Sequence, residues 1–329
     1  MKNNQAFVVV LIVMGLAILA GILFGRYTLV SLASETVNAA CTFRSTDIIA
    51  SAQGDVYNPN DESDSVVPDT YYLAVYSVAG DAITNPEFQP VPNEWKDEQE
   101  DTALQDETWA LFTDLIPPQD REMVAQFNVF TDGYSNTLAA VDQLKEDPSL
   151  WVLEIDIEDL KDKDALMFTL VHEYAHLLTL NASQVIPDRE IVNKPGDISL
   201  QQKKAAACPA YFTGTGCSYD DSYINAFYRR FWVDINEEWK KIDALQYATD
   251  DQTPYYDGLY NFYLSHLDQF VDDYAVTHPT EDIAEAFAYF VFSPRPAGNS
   301  IKEQKIAFFY EYPELVQLRE DILNGACSK

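Results

Sequence analysis

The 329-residue chain has little histidine, cysteine or basic charge. It contains 21 Lys and Arg residues against 53 Asp and Glu residues, which gives a formal net charge of −32. A surface of that sign repels a phosphate backbone, so nucleic-acid binding is disfavoured. The excess acid suits the solubility of an exported domain, and it can also attract cationic substrates.

The four cysteines do not form a metal-binding pattern. No Cys-x-x-Cys pair occurs, and no cysteine is close in sequence to His172 or His176, so a cysteine-ligated zinc site is disfavoured. Cys208 and Cys217 bracket a short Gly-rich loop, while Cys41 and Cys327 lie where a bridge would join the ends of the domain. This even set predicts disulfides and an oxidising compartment, with four unpaired buried thiols as the alternative.

The sequence has one long hydrophobic run, at residues 6–25, which contains no charged residue. Twenty residues can cross a bilayer core of about 30 Å, and the run is longer than the roughly 7–15 residues of a signal-peptide core. We therefore predict a membrane-spanning signal anchor at 1–26, with the rest of the chain outside the cell. A cleaved signal peptide, giving a secreted protein, is the alternative.

The remaining chain predicts an α+β fold, because its strand patterns come early and its helix patterns late. We interpret 27–70 as a tether and acidic loop and 71–329 as one domain, divided into 71–150 and 151–329. Strands are predicted at 71–78, 124–131 and 151–158. Alternation of apolar and acidic residues in the last of these predicts a strand at or near a sheet edge. Helices are predicted from Asp162 or Asp164 to residue 180, and at 223–242, 259–274, 281–292 and 301–323.

A metal-binding motif lies on the first of these helices, as His172-Glu173-Tyr174-Ala175-His176. Residues i and i+4 of a helix lie on one face, so two imidazoles can bind one zinc ion. Zinc lowers the pKa of a bound water to about 7, and Glu173 is placed to take a proton from that water as a general base. The motif therefore predicts a zinc hydrolase.

A catalytic zinc site also needs a third protein ligand. The compact pattern with a third histidine fails, because Thr179 and Ala182 occupy the positions that require glycine and histidine. Glu281 and Glu285 are one helical turn apart further along the chain. One of them can bind the metal while the other accepts a proton from a ligand histidine.

These two segments together resemble the gluzincin metallopeptidases. Tyr274 comes seven residues before Glu281, and Glu281 begins a Glu-x-x-Ala-Glu-Ala-Phe frame. With these features the sequence is similar to the catalytic domain of the anthrax lethal factor type. It also resembles uncharacterised membrane-anchored bacterial proteins described as zinc-binding metallopeptidases. The resemblance implies that His172, His176 and Glu281 hold zinc, that Glu173 is the base and that Glu285 supports a ligand. It also implies that Tyr274 donates a hydrogen bond to the oxyanion of the tetrahedral intermediate.

The sequence thus predicts an anchored, extracytoplasmic, zincin-like α+β peptidase with one zinc per chain. Its substrate would be a peptide or protein that pairs with the 151–158 strand. Three alternatives remain. An aspzincin-type peptidase would take its third ligand from the Asp220-Asp221 region, and a surface binding or scaffolding protein would keep zinc without cleaving. An intramembrane protease is disfavoured because no second clear spanning segment exists.

Overall fold

The computed structural model describes residues 45, 47–51, 69–134, 136–249 and 251–327. The predicted anchor at 1–26, most of the predicted tether at 27–70 and Cys41 lie outside these residues. Within the described part, no helix has the length and hydrophobicity needed to cross a membrane.

The centre of the fold is a five-stranded mixed sheet in the order β2-β1-β3-β5-β4. β3 and β5 are parallel, and the other neighbouring pairs are antiparallel. A second, two-stranded sheet pairs β6 with β7. The strands are β1 Tyr71–Ala79, β2 Ala82–Phe88, β3 Val124–Thr131, β4 Ala139–Gln143, β5 Trp151–Asp156, β6 Val185–Pro187 and β7 Gly216–Ser218.

Helices follow or connect these strands and dominate the C-terminal half. They are α1 Lys96–Glu100, α2 Thr102–Leu115, α3 Lys163–Leu180, α4 Arg189–Val192, α5 Ile198–Ala207, α6 Tyr223–Phe231, α7 Asn236–Asp243, α8 Thr253–Ser265, α9 Pro279–Phe292, α10 Ile301–Phe308 and α11 Pro313–Cys327. One hydrophobic core joins the sheet to α2, α3, α9 and α11. The α+β class predicted from the sequence is confirmed.

Helix α3 lies at the centre of this core. Its first turn is capped by the Asp162 carboxylate, which accepts a hydrogen bond from the Ala165 backbone N–H at 3.1 Å. The helix contains no glycine or proline, and 12 of its 18 residues are buried. A helix that is apolar on nearly every face is stable only when it is surrounded, and α3 packs against α2, β4 and α9.

The strand predicted at 151–158, at or near a sheet edge, lies one strand in from the edge, so it is near the edge as expected but has no free side for a peptide. β5 lies between β3 and β4, and the edge strand is β4. The acidic residues of β5 satisfy their oxygens within the protein: Glu154 accepts hydrogen bonds from Asn128 of the neighbouring strand β3 and from Tyr72 of β1, the next strand beyond it. Alternating acidic residues therefore reflect a hydrogen-bonded polar face of an interior strand.

Two helical boundaries also differ from the prediction. The helix expected at 223–242 is divided into α6 and α7, because the chain turns at 232–235 with Trp232 fully buried. The helix expected at 259–274 is α8, which ends at Ser265. The acidic stretch at 85–107 contains the end of β2, all of α1 and the start of α2.

Candidate metal centre

The candidate site lies where α3 meets α9. These two helices pack along each other, although their facing residues are separated by more than 100 positions in the chain. His172 and His176 project from α3, and Glu281 projects from the first turn of α9. The structure thus brings the two predicted sequence segments together.

Three ligand atoms converge at this contact. His172 Nε2 and His176 Nε2 are 3.1 Å apart, and Glu281 Oε2 lies 3.2 Å from the first and 3.1 Å from the second. His172, Glu173 and His176 can also hold a metal ion as a group, since their ligand atoms lie within 4.8 Å of one another. Glu281 Oε2 is closer to the His172 imidazole than Glu173 Oε1 is, at 4.0 Å.

The dimensions of this triangle fit a small cation. Zinc binds nitrogen and carboxylate oxygen at about 2.0–2.2 Å, and tetrahedral geometry then places neighbouring ligand atoms about 3.3–3.6 Å apart. A neutral imidazole offers one lone pair and a carboxylate offers several, so three such atoms at this distance repel one another unless a proton or a cation lies between them. The donor set and its spacing therefore suit a metal ion.

The pKa shifts at the site also indicate that it stabilises positive charge. Burial lowers the pKa of the His172 imidazole, but the carboxylates of Glu285 and Glu281 outweigh burial and hold the pKa well above its usual value. Burial raises the pKa of Glu281, yet His176 and His172 bring it well below its usual range. The carboxylates thus stabilise positive charge at this point, whether a proton or a cation supplies it.

Glu173 lies beside the ligand triangle and keeps 12% of its side-chain surface exposed. Burial raises the pKa of its carboxyl, and the two imidazoles lower it in part. The backbone N–H of Val141, on the edge strand β4, donates a hydrogen bond to this carboxyl. Glu173 is therefore held between the imidazoles and the sheet edge.

Glu285 lies behind His172, on the side away from the triangle. Its Oε1 is 2.8 Å from His172 Nδ1, so the carboxylate can hold the proton on Nδ1 and leave Nε2 free to bind a metal. Burial and the neighbouring Glu285 raise the pKa of Asp272 well above its usual range, with a hydrogen bond between the two carboxyls. Asp272 was not predicted, because nothing in its sequence neighbourhood sets it apart from Asp273.

Tyr274 lies in the short 3-10 turn Tyr274–Val276, directly before α9. Its ring centroid is 5.7 Å from that of His172. Burial of its hydroxyl raises the pKa of the phenol, and Glu281, Glu173 and Glu285 raise it further. The phenol is therefore protonated near neutral pH and available as a hydrogen-bond donor, while 53% of the residue's surface remains exposed.

His278 and Thr280 form a further contact to the site that the sequence did not predict. His278 caps α9, accepting a hydrogen bond from the Thr280 backbone N–H at 3.2 Å. The Thr280 hydroxyl lies 2.6 Å from His278 Nδ1 and 3.4 Å from Glu281 Oε1, and its single proton can be donated to one of these two atoms at a time. The second oxygen of Glu281 therefore lies next to the cap of its own helix. A histidine directly before proline at a helix start was the available signal.

The other predicted residues lie away from this group. Cys208 and Cys217 form a disulfide, which confirms that pairing. The pairing of Cys41 with Cys327 stays a prediction, because Cys41 is outside the described residues.

Asp220 and Asp221 are exposed, and Asp220 forms an ion pair with Arg229 at 3.0 Å. The structure therefore brings Glu281, not these aspartates, to the imidazoles.

Comparisons of the chain with protein-family models, with curated proteins and with solved structures gave no significant match. The functional argument consequently depends on the geometry and chemistry of the site.

Proposed function

We propose that this protein is a zinc-dependent metallopeptidase that hydrolyses peptide bonds. The observation that carries the proposal is the triangle of His172 Nε2, His176 Nε2 and Glu281 Oε2, with edges of 3.1–3.2 Å, beside the carboxyl of Glu173. Two imidazoles and one carboxylate are a ligand set of catalytic zinc, which keeps a fourth position for water or substrate.

His172, His176 and Glu281 would hold the zinc ion. When bound in such a site, zinc polarises a carbonyl group and makes water a nucleophile near neutral pH. Glu285 fixes the orientation of His172 from behind, since its carboxylate lies 2.8 Å from Nδ1. The Thr280 hydroxyl lies 3.4 Å from the other oxygen of Glu281.

Two further residues act on the substrate in this proposal. Glu173 takes a proton from the attacking water and passes it to the leaving amine. Its raised pKa suits this exchange, because the carboxylate of a strongly acidic group is a weak base and takes a proton from water less readily. Tyr274 donates a hydrogen bond to the oxyanion that forms on the scissile carbonyl.

The outer edge of β4, which pairs with no other strand among the described residues, supplies a surface for an extended peptide. In an antiparallel pair, alternate residues bond to the partner strand, and Leu138 and Leu144 do so with β5. Ala139, Val141 and Gln143 therefore direct their backbone groups away from β5, toward a free edge. A peptide added to this edge would run past Glu173, which already contacts Val141. β4 thus replaces β5 as the proposed substrate strand.

We also propose an extracytoplasmic, membrane-anchored location. The disulfide between Cys208 and Cys217 is typical of oxidising compartments. The uncharged run at 6–25 supports the anchor.

The test is metal content together with peptide cleavage by the purified full-length chain. We expect one zinc per chain and cleavage of a mixed peptide library. Glu173→Gln should keep the zinc and lower turnover about 10²–10⁴-fold, because it removes the base but no ligand.

A matched pair of histidine variants separates a specific site from adventitious metal. His176→Gln should lose zinc, whereas His266→Gln should keep it, since His266 contacts the Phe262 carbonyl and lies outside the triangle. A wild-type chain without zinc would rule out the metal site. A chain with stoichiometric zinc and no cleavage of any peptide would instead indicate a non-catalytic zinc protein.

A further inference from the structure

A buried ion pair lies one residue beyond the proposed ligand Glu281. Lys305 Nζ of α10 is 2.6 Å from Asp282 Oδ2 of α9, and both side chains have no exposed surface. The indole N–H of Trp232 donates to the same oxygen at 2.7 Å. An ammonium group and an indole N–H from other parts of the chain therefore converge on one oxygen of a residue on the ligand-bearing helix.

Aromatic rings enclose the cation of this pair. Lys305 Nζ lies 3.9 Å from the ring centroid of Phe270, 5.8 Å from that of Trp232 and 6.0 Å from that of Phe227. The faces of aromatic rings attract cations, so the rings partly replace the water that the ammonium group loses. We call Asp282, Lys305, Trp232, Phe270 and Phe227 the buried cation cluster.

Stability alone does not explain such a cluster. Taking two charges out of water costs several kcal/mol per ion, and neutral residues of similar size are often as stable or more so. Asp282 Oδ1 moreover has no hydrogen-bond partner among the described residues. What a buried ion pair can provide is direction, because two opposite charges in contact away from water favour one arrangement of the elements that carry them.

The position of Asp282 on α9 determines which other residues of the helix the ion pair can orient. Successive residues of a helix are about 100° apart around its axis. Asp282 therefore points to another side of α9 than Glu281 and Glu285, which lie one turn apart on the face toward α3. Fixing Asp282 fixes the rotation of α9 about its axis, and that rotation sets where Glu281 Oε2 and Glu285 Oε1 lie relative to His172.

We propose that the buried cation cluster is a positioning device, in which Lys305 and Trp232 hold Asp282 so that Glu281 and Glu285 are presented to the two imidazoles of α3. This inference rests on the metal site of the proposed function, and it does not depend on which bond the enzyme cleaves. None of the three polar residues touches the ligand triangle.

The test compares zinc affinity with folding stability in the double variant Asp282→Asn/Lys305→Met of the full-length chain. These residues keep the shapes of the originals and remove both charges. We expect the zinc dissociation constant, measured by chelator competition, to rise about 10–100-fold, as is typical when the support of a metal ligand is lost. The visible spectrum of the cobalt-substituted variant should also change, while urea unfolding of the metal-free variant stays close to wild type.

The control is Arg319→Met, which removes a buried cation from the other end of the same helix. The Arg319 guanidinium donates to the carbonyls of Phe290 and Ser293, at the C-terminal end of α9. This variant should lose stability but keep wild-type zinc affinity and cobalt spectrum.

Wild-type zinc affinity in a folded double variant would overturn the inference, and so would an equal loss in Arg319→Met. If the double variant does not fold, Trp232→Phe decides on the same criterion, because it removes only one donor to Asp282. Absence of zinc from the wild-type chain would instead contradict the proposed function, so the two failures are distinguishable.

Discussion

Among the residues with a proposed role, Tyr274 is the one whose side chain is least enclosed by the protein. Its ring packs near His172, its hydroxyl is surrounded by three carboxyl groups, and half of its surface is exposed. A group with these surroundings touches neither sheet nor core extensively. Its contribution should consequently appear in turnover and not in stability.

We expect Tyr274→Phe to lower kcat about 10²–10³-fold, the usual cost of losing one oxyanion donor, with little change in KM or zinc content. Steady-state kinetics on a peptide found by the library screen measures this. Tyr256→Phe is the matched control, since Tyr256 is similarly exposed on α8 and should behave as wild type. Equal kinetics of the two variants would argue against an oxyanion role for Tyr274.

At the scale of residues, the sequence predicted those parts of the site that have fixed spacing. The two histidines lie four positions apart on one helix, and Glu281 and Glu285 lie four apart on another, so helical geometry alone placed each pair on one face. Asp272 and Val141 could not be predicted, because their contacts depend on tertiary packing. Nothing in the local sequence encodes that a backbone N–H of β4 meets Glu173.

At the scale of elements, β4 joins the sheet to the site. It packs against α3, and alternate residues turn their backbone groups away from β5. An edge strand of this kind normally invites pairing with another chain. A substrate peptide would use that property.

Val141→Pro should test this role of β4 without unfolding the sheet. Proline removes an N–H that faces away from β5, which edge strands tolerate, but that N–H also donates to Glu173, so we expect the unfolding free energy to fall by about 1–2 kcal/mol. Peptide cleavage should fall through a higher KM, because the edge loses a peptide contact, and through a lower kcat, because Glu173 loses its hydrogen bond. Ala140→Pro is the contrasting variant, because its N–H faces β5 and its loss should cost about 1–3 kcal/mol more. An unchanged KM in Val141→Pro would exclude β4 as the substrate strand.

The strands and helices with strong local signals were predictable, and the edge of the sheet was not. Helix α3 has a capping aspartate and a long apolar stretch without glycine or proline. β4 has the sequence AAVDQ, which is too short and too polar to stand out. The acidic residues of β5 suggested exposure, but hydrogen bonds from Tyr72 and Asn128 make a polar residue compatible with an interior strand.

At the scale of the whole molecule, acid dominates both the surface and the interior. The net charge of −32 opposes compaction through self-repulsion. Several carboxyls are also desolvated, and burial raises their pKa values. They include Glu154, Asp156, Asp243, Asp272 and Asp282.

Asp156 shows how this affects folding. Burial raises the pKa of its carboxyl to about 7, although the backbone N–H groups of Asp132 and Glu158 donate to it. A carboxyl with a folded pKa above its unfolded value of about 3.9 binds protons more tightly when the protein is folded. Its stabilising contribution is complete below the unfolded pKa and is lost as the pH rises through the folded pKa.

We therefore predict that the metal-free protein loses stability as the pH rises from 6 to 8. One carboxyl with a folded pKa near 7 accounts for about 1.4 kcal/mol over this range. Urea unfolding at several pH values in 0.3 M salt measures the slope, because salt screens the surface repulsion but not the buried groups. Asp156→Asn should have a lower overall stability and a flatter slope, since its side chain no longer titrates. A wild-type stability that is constant or increases between pH 6 and 8 would show that hydrogen bonds to the buried carboxylates outweigh their desolvation.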